Sequence, residues 1–161
     1  MFKMKQSILT GFSFGLTSGI ITTLGLMVGL QAGTNSKMVV LGGVLTIAFA
    51  DSLSDALGIH VSEESRLNSN YKNVWEATVS TFIYKLLFAL TFIVPILMFD
   101  LVTAIYVSIV WAYIVLVLVS YFNAKHRNQK KWSMVIEHLF IMSLVIVASK
   151  YIGLFVSRYF G

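Results

Sequence analysis

The sequence contains no cysteine, which removes disulfides, thiolate metal ligands and thiol catalysis at once. It is also poor in charge: Asp, Glu, Lys and Arg make up 12% of its 161 residues, about half the share of a soluble domain. No glycine-rich loop leads to Lys-Ser or Lys-Thr, so no phosphate cradle of an ATP motor is encoded. HExxH does not occur, and the one GxSxG match, Gly11 to Gly15, lies inside an apolar run rather than at a strand-to-helix turn, so neither a zinc-helix protease nor a nucleophile-elbow hydrolase is expected. There is no basic groove interleaved with aromatics, so nucleic acid is not an expected partner. No low-complexity tract or long linker divides the chain, and residues 1–161 read as a single domain. A non-enzyme without a prosthetic group is expected.

What the chain does have is apolar length. It is 57% hydrophobic, with a mean hydropathy of +0.82. Runs of about 20 apolar residues are the mark of membrane-spanning helices. Five are read here, at about Ile8–Gln31, Lys37–Val61, Ala77–Phe99, Leu101–Ala124 and Met134–Tyr159. The expected fold is therefore all-α, an integral membrane protein of five transmembrane helices. MFKMKQS starts like a signal peptide, but the apolar stretch after it is a full membrane thickness long and has no clear cleavage site, so a retained first span is expected.

The net charge of +5 sits mainly in short loops beside the spans, which points to anionic lipid rather than nucleic acid. One side receives Lys3, Lys5, Arg66, Lys72, Lys125, Arg127, Lys130 and Lys131, the other only Lys37 and Arg158. That bias places the N-terminus in the cytoplasm. The membrane would be the cell membrane of a prokaryote, or a vacuolar or other organelle membrane of a eukaryote.

The second span carries Asp51 and Asp55 inside TIAFADSLSDALGIHVSEES. A carboxylate at bilayer depth costs about 2.5–3.5 kcal/mol on insertion scales, so two in one span need a cation, a proton, a partner or water. At helical spacing Asp51, Asp55, Gly58 and Ser62 fall in one stripe, with Ser54 at its edge. The carboxylates are about 6 Å apart along the axis and can face one site. Such a pair with hydroxyls suits a hard or borderline divalent cation, and it suits proton coupling. An intramembrane aspartyl protease would draw its aspartates from two helices, not one turn.

Lys85 in the third span reaches a similar depth and is the candidate counter-ion, either as a purely structural partner or as one released when a cation arrives. His60 falls about 180° around the helix from Asp51 and is expected to point elsewhere. Glu63 and Glu64 at the span's exit form either a cytoplasmic funnel for cations or a solvated helix end. Glu137 lies beside the basic loop and within reach of Lys130 or Lys131. Met27 lies in a span read as lining a pathway, and core filling is its more ordinary role.

In the first span Gly11, Gly15 and Gly19, then Gly25, Gly29 and Gly33, recur every fourth residue and admit a close backbone. They serve either packing within one subunit, or a crossing between two copies of this helix or a narrow pathway. Ser13, Thr17, Ser18, Thr22 and Thr23 add hydroxyls nearby.

Together these segments resemble the vacuolar iron transporter family. GFSFGLTSGIITTLGLMVGLQAG is similar to its first span and ADSLSDALGIHVSEES to its second. EATVSTFIYKLLFALTFIVPIL matches its Thr-rich third span with Pro95 near the outer end, and ASKYIGLFV matches the close of its fifth. The resemblance implies a homodimer, meeting through the first span, that moves Fe(II) or Mn(II) out of the cytoplasm in exchange for protons. It also implies a pathway lined by the first and second spans. The chain departs from the family pattern at Thr17-Ser18-Gly19, where Asn-Asp-Gly is usual, and at Asp55, where a methionine is usual. Ile59 stands where an acidic residue is usual, and the cytoplasmic metal-binding insert between the second and third spans is missing. On ligand grounds a harder ion such as Mn(II) or Mg(II) fits better.

The expected function is proton-coupled export of a divalent cation, with Asp51, Asp55, Ser18, Ser54 and Ser62 as ligands. The alternative is a non-transporting membrane assembly protein in which the aspartates pair with Lys85.

Overall fold

The computed structural model describes residues 5–67, 69–126 and 130–161. The described residues contain helices and no strand: α1 (Gln6–Thr34), α2 (Lys37–Glu64), α3 (Tyr71–Thr91), α4 (Ile93–Met98), α5 (Leu101–His126) and α6 (Lys131–Phe160). With α3 and α4 taken together as Tyr71–Met98, five of these segments are long and apolar enough to cross a membrane. The all-α, five-span expectation holds. Lys3 and Arg127, two of the cations used to orient the chain, lie outside the described residues.

Local chemistry sets most of the boundaries. α1 ends at Asn35, whose φ of 46° is left-handed and whose N–H bonds to the Gln31 carbonyl. Asparagine is one of the few residues other than glycine to accept that conformation at modest cost. The next residue, Ser36, caps α2 by accepting from the Val39 N–H, so a tight turn joins two long helices. Asn70 caps α3 in the same way through the Lys72 N–H, at 2.9 Å. Asp100 caps α5 through the Thr103 N–H at 3.0 Å. That backbone bond is the main reason the Asp100 carboxyl is held below its usual range.

Two sequence expectations need correction. The third span starts at Tyr71 rather than Ala77, because the Asn70 cap and the interfacial residues Tyr71, Lys72 and Trp75 continue the helix beyond its apolar part. The polar link before it is correspondingly short. The same span is also not continuous. Pro95 has no N–H to give the Thr91 carbonyl, and the helix breaks at Phe92, whose N–H turns back to the Ala89 carbonyl at 3.2 Å. The Thr91 hydroxyl, bonded to the Phe88 carbonyl, accepts from Trp111 Nε1 of α5 at 3.0 Å and ties the break down.

α1 is the central helix, packed on α2, α3, α5 and α6. Leu16, Ile20, Leu24 and Met27 of α1 form the core with Val40 and Val44 of α2, Phe92, Leu116 of α5 and Met142 of α6. Met27 is fully buried there and lines no open pathway. The outer faces of α2 and α6 carry exposed Phe49, Leu53, Leu57, Phe140, Leu144 and Phe155, as helices in contact with lipid or another subunit would.

The glycine periodicity of α1 is used within the chain. Gly11, Gly15 and Gly19 meet α3, and Gly25, Gly29 and Gly33 meet Ser149 and Gly153 of α6 or the side chain of Val145. A methyl group at Gly15 would sit 2.6 Å from the Thr81 carbonyl oxygen, closer than any side chain tolerates. The glycines therefore serve packing within the chain. At the same end of the bundle Lys5 pairs with Glu76 at 2.8 Å, and Ser7 donates to that carboxylate at 2.6 Å.

Candidate functional site

α1 and α2 run antiparallel, which brings Ser18 beside Asp55 and Thr22 beside Asp51. Ser18 Oγ donates to Asp55 Oδ2 at 2.6 Å. Thr22 Oγ1 lies 3.0 Å from Asp51 Oδ2 and 2.9 Å from the Ser18 carbonyl oxygen, with one proton to share between them. Each pair is four residues apart on its own helix, so matching periodicities align two hydroxyls with two carboxylates.

Lys85 closes the cluster from α3. Its Nζ is 2.5 Å from Asp51 Oδ2, pairs with Asp55 Oδ2 as well, and donates to Ser18 Oγ at 3.0 Å. The lysine side chain is 1% exposed, whereas Asp51 and Asp55 keep 28% and 22% of theirs open. Gly15 and Gly19 explain how the lysine gets there. Without side chains on α1, the backbone of α3 approaches closely enough for the Lys85 stem to pass α1 toward α2. Burial of one charge alone would be costly, and the ammonium and carboxylates offset each other only because they share hydrogen-bonded geometry.

The other expected ligands are placed differently. Ser54 is exposed and lines an open groove of about 800 Å³ with Thr22, Thr46, Ala50 and Asp51. It borders the cluster without bonding to it. Ser62 is exposed, about 10 Å farther along the axis than Asp55, and makes no contact with the cluster. Glu63 pairs with Arg66 at 3.0 Å, and Glu64 is exposed at the helix end. Both are about two turns from Asp55.

His60 turns away from the aspartates, as its helical angle required. Its Nδ1 is 3.0 Å from Thr78 Oγ1 and its ring stands edge-on to Trp75, anchoring the end of α2 to α3. His138 is likewise occupied, 2.7 Å from Ser120 Oγ. Glu137 is exposed and makes no ion pair with Lys130 or Lys131 among the described residues.

Thr22 is the member of the cluster that the sequence left among several nearby hydroxyls. Its position four residues after Ser18, mirroring Asp51 and Asp55, was the available signal. Among the described residues no three of His, Asp and Glu converge to hold a metal ion. A cation at this place would be held by two carboxylates and neutral hydroxyl oxygens, a donor set suited to hard ions.

A family model described as the VIT family matches residues 55–154. The match takes in Asp55 and Lys85 and begins after Ser18, Thr22 and Asp51. No curated protein matches the chain.

Proposed function

This chain belongs to the VIT family, whose members transport metal ions across membranes, and from that premise we propose that it exports a divalent cation in exchange for protons. Asp51 and Asp55 bind the ion, with Ser18 and Ser54 as neutral oxygen ligands. The N-terminus faces the cytoplasm, and Glu63, Glu64 and Ser62 line the approach from that side. Mn(II) is the better fit than Fe(II), because every oxygen in the cluster is hard and no sulfur or nitrogen ligand joins it.

The observation that carries this reading is the convergence of Asp51, Asp55 and Ser18 on a single cationic group inside a bilayer-spanning bundle. An ammonium held by those three oxygens marks a position already shaped for positive charge. Proton exchange follows from chemistry: only the deprotonated carboxylates take the metal, so protons and metal compete for Asp51 and Asp55 and protonation expels the metal. The pathway runs along the open groove between α1 and α2, where Thr22, Thr46, Ala50, Asp51 and Ser54 lie. Two copies meeting along that groove enclose it as a homodimer.

The second reading has its own observation. Lys85 engages both aspartates, which is what a purely structural ion cluster in a membrane assembly protein requires. Metal uptake into proteoliposomes across a pH gradient separates the two. Uptake of Mn(II) that depends on the gradient and disappears in Asp51→Asn/Asp55→Asn is expected. Uptake at the wild-type rate by the double variant sinks the site assignment, and no uptake of any divalent ion by wild type favours the assembly reading.

A further inference from the structure

Building on the reading of Asp51 and Asp55 as a cation site, we propose that the Lys85 ammonium is a tethered competitor of the transported ion. It fills the cation position when no metal is bound and leaves when a divalent ion enters. Lys85 is thereby a specificity-determining residue rather than a passive counter-ion.

Three observations lead there. First, the ammonium is held as a bound cation would be, by Asp51 Oδ2, Asp55 Oδ2 and Ser18 Oγ, from two different helices. Metal and ammonium therefore need the same oxygens. Second, the two reach those oxygens from opposite sides. The lysine comes from within the bundle, past Gly19, and is 1% exposed. The carboxylates are partly open, and Asp51 faces the groove with Thr22, Thr46, Ala50 and Ser54. An ion arriving from the groove meets the carboxylates without passing the lysine. Third, the lysine backbone is fixed against Gly15 and Gly19, while its four-carbon stem is flexible. The ammonium can withdraw without moving α3.

The consequence is discrimination by charge. A tethered ammonium is present at high effective concentration, so a monovalent ion offers the carboxylates no more charge than they already have. A divalent ion offers twice as much. Apparent metal affinity falls by the fraction of time the ammonium leaves the site free, which weakens binding enough to allow release on the far side.

The test is equilibrium binding of Mn(II) to the purified wild type, Lys85→Gln, Lys85→Arg and Asp51→Asn/Asp55→Asn, followed by the signal of free Mn(II) in electron paramagnetic resonance. Lys85→Gln is expected to bind at least about tenfold more tightly than wild type, and Lys85→Arg to stay within about threefold of it. Potassium, without effect on Mn(II) binding by wild type, is expected to compete in Lys85→Gln. A wild type that binds through the aspartates beside a folded Lys85→Gln that binds equally or more weakly overturns this proposal and leaves the site reading standing. Binding by neither protein overturns both. Should Lys85→Gln not fold, reductive methylation of wild type, read by mass spectrometry at Lys85, replaces it. Mn(II) is expected to accelerate labelling, and unchanged or slower labelling overturns the proposal.

Discussion

Gly19 of α1 lies against Lys85 of α3: a methyl group at Gly19 would stand 3.0 Å from the Lys85 carbonyl oxygen and 3.2 Å from its Cγ. The absence of a side chain at one residue thus sets the path of the other's stem. One turn earlier the contact is tighter still, between Gly15 and the Thr81 carbonyl.

Gly15→Ala is accordingly expected to destabilise the bundle by about 1–3 kcal/mol, since the obstruction is backbone and α3 must shift. Gly42→Ala is the control. Nothing lies within 4 Å of a methyl group there, and the gain in helix propensity makes it neutral or stabilising. Thermal unfolding in detergent micelles distinguishes them. Equal loss in both variants would mean that the α1–α3 approach is not what the glycines serve.

Stability also reports on the cluster. Asp55→Asn leaves Lys85 paired with Asp51 alone, so stability is expected to fall by less than the about 3–5 kcal/mol that breaking a buried pair outright costs. That loss is expected on either functional reading. The response to Mn(II) is not. At a hundredfold excess over its dissociation constant, a bound ion raises wild-type stability by about 2.7 kcal/mol. The increment is expected to vanish in Asp51→Asn/Asp55→Asn. A structural cluster gives no increment in wild type.

Much of this could be read from the chain, and the reasons for the rest are physical. The spans follow from apolar length. The shared face of Asp51 and Asp55 follows from four-residue spacing, and Lys85 from its depth. Which neighbour the α1 glycines serve is not a local property, because the same spacing fits a self-crossing and an internal one. The same applies to Lys85, whose reach to both aspartates depends on the α1–α3 approach at Gly15 and Gly19. The start of α3 was misplaced because Tyr71, Lys72 and Asn73 are polar enough to look like a loop while an asparagine cap and the interface make them helical. Pro95 was visible, but the break falls at Phe92, where its missing N–H is felt. Ser62 shares a stripe with the aspartates but lies too far along the axis to share their site.

Asn35 offers a test of the turn between the first two spans. Its left-handed φ of 46° costs a residue with an ordinary side chain about 1–2 kcal/mol. Asn35→Ala is expected to lower stability by about 1 kcal/mol, and Asn35→Gly to keep or raise it. Chemical denaturation in micelles reads both. Equal effects would show that the turn does not depend on that conformation.

The cap at Asp100 predicts a pH dependence. The Thr103 N–H holds the carboxyl below its usual range, so the ionised form is the one bound in the folded state. The stabilisation is complete above the unfolded carboxylate pKa and is lost as pH falls through the lowered folded value. Asp100→Ala is expected to melt below wild type at neutral pH, with the difference shrinking in acid. A difference that stays constant down to strongly acidic pH would remove the carboxylate as its cause.

The two hydroxyls of the cluster should differ in weight. Ser18 touches both Asp55 and Lys85, whereas Thr22 touches Asp51 alone and divides its proton with the Ser18 carbonyl. Ser18→Ala removes a donor from one charged group and an acceptor from another, each in a partly or fully buried setting. Hydrogen bonds to charged groups are worth about 1.5–3 kcal/mol, so stability is expected to fall within that range. Thr22→Val keeps the shape and removes one shared bond, and about 1 kcal/mol is expected. Metal binding should follow the same order, because Ser18 is also a proposed ligand while Thr22 only steadies Asp51. Melting curves with and without Mn(II) measure both quantities in one series. A larger loss in Thr22→Val than in Ser18→Ala would move the centre of the site from Asp55 toward Asp51 and the open groove.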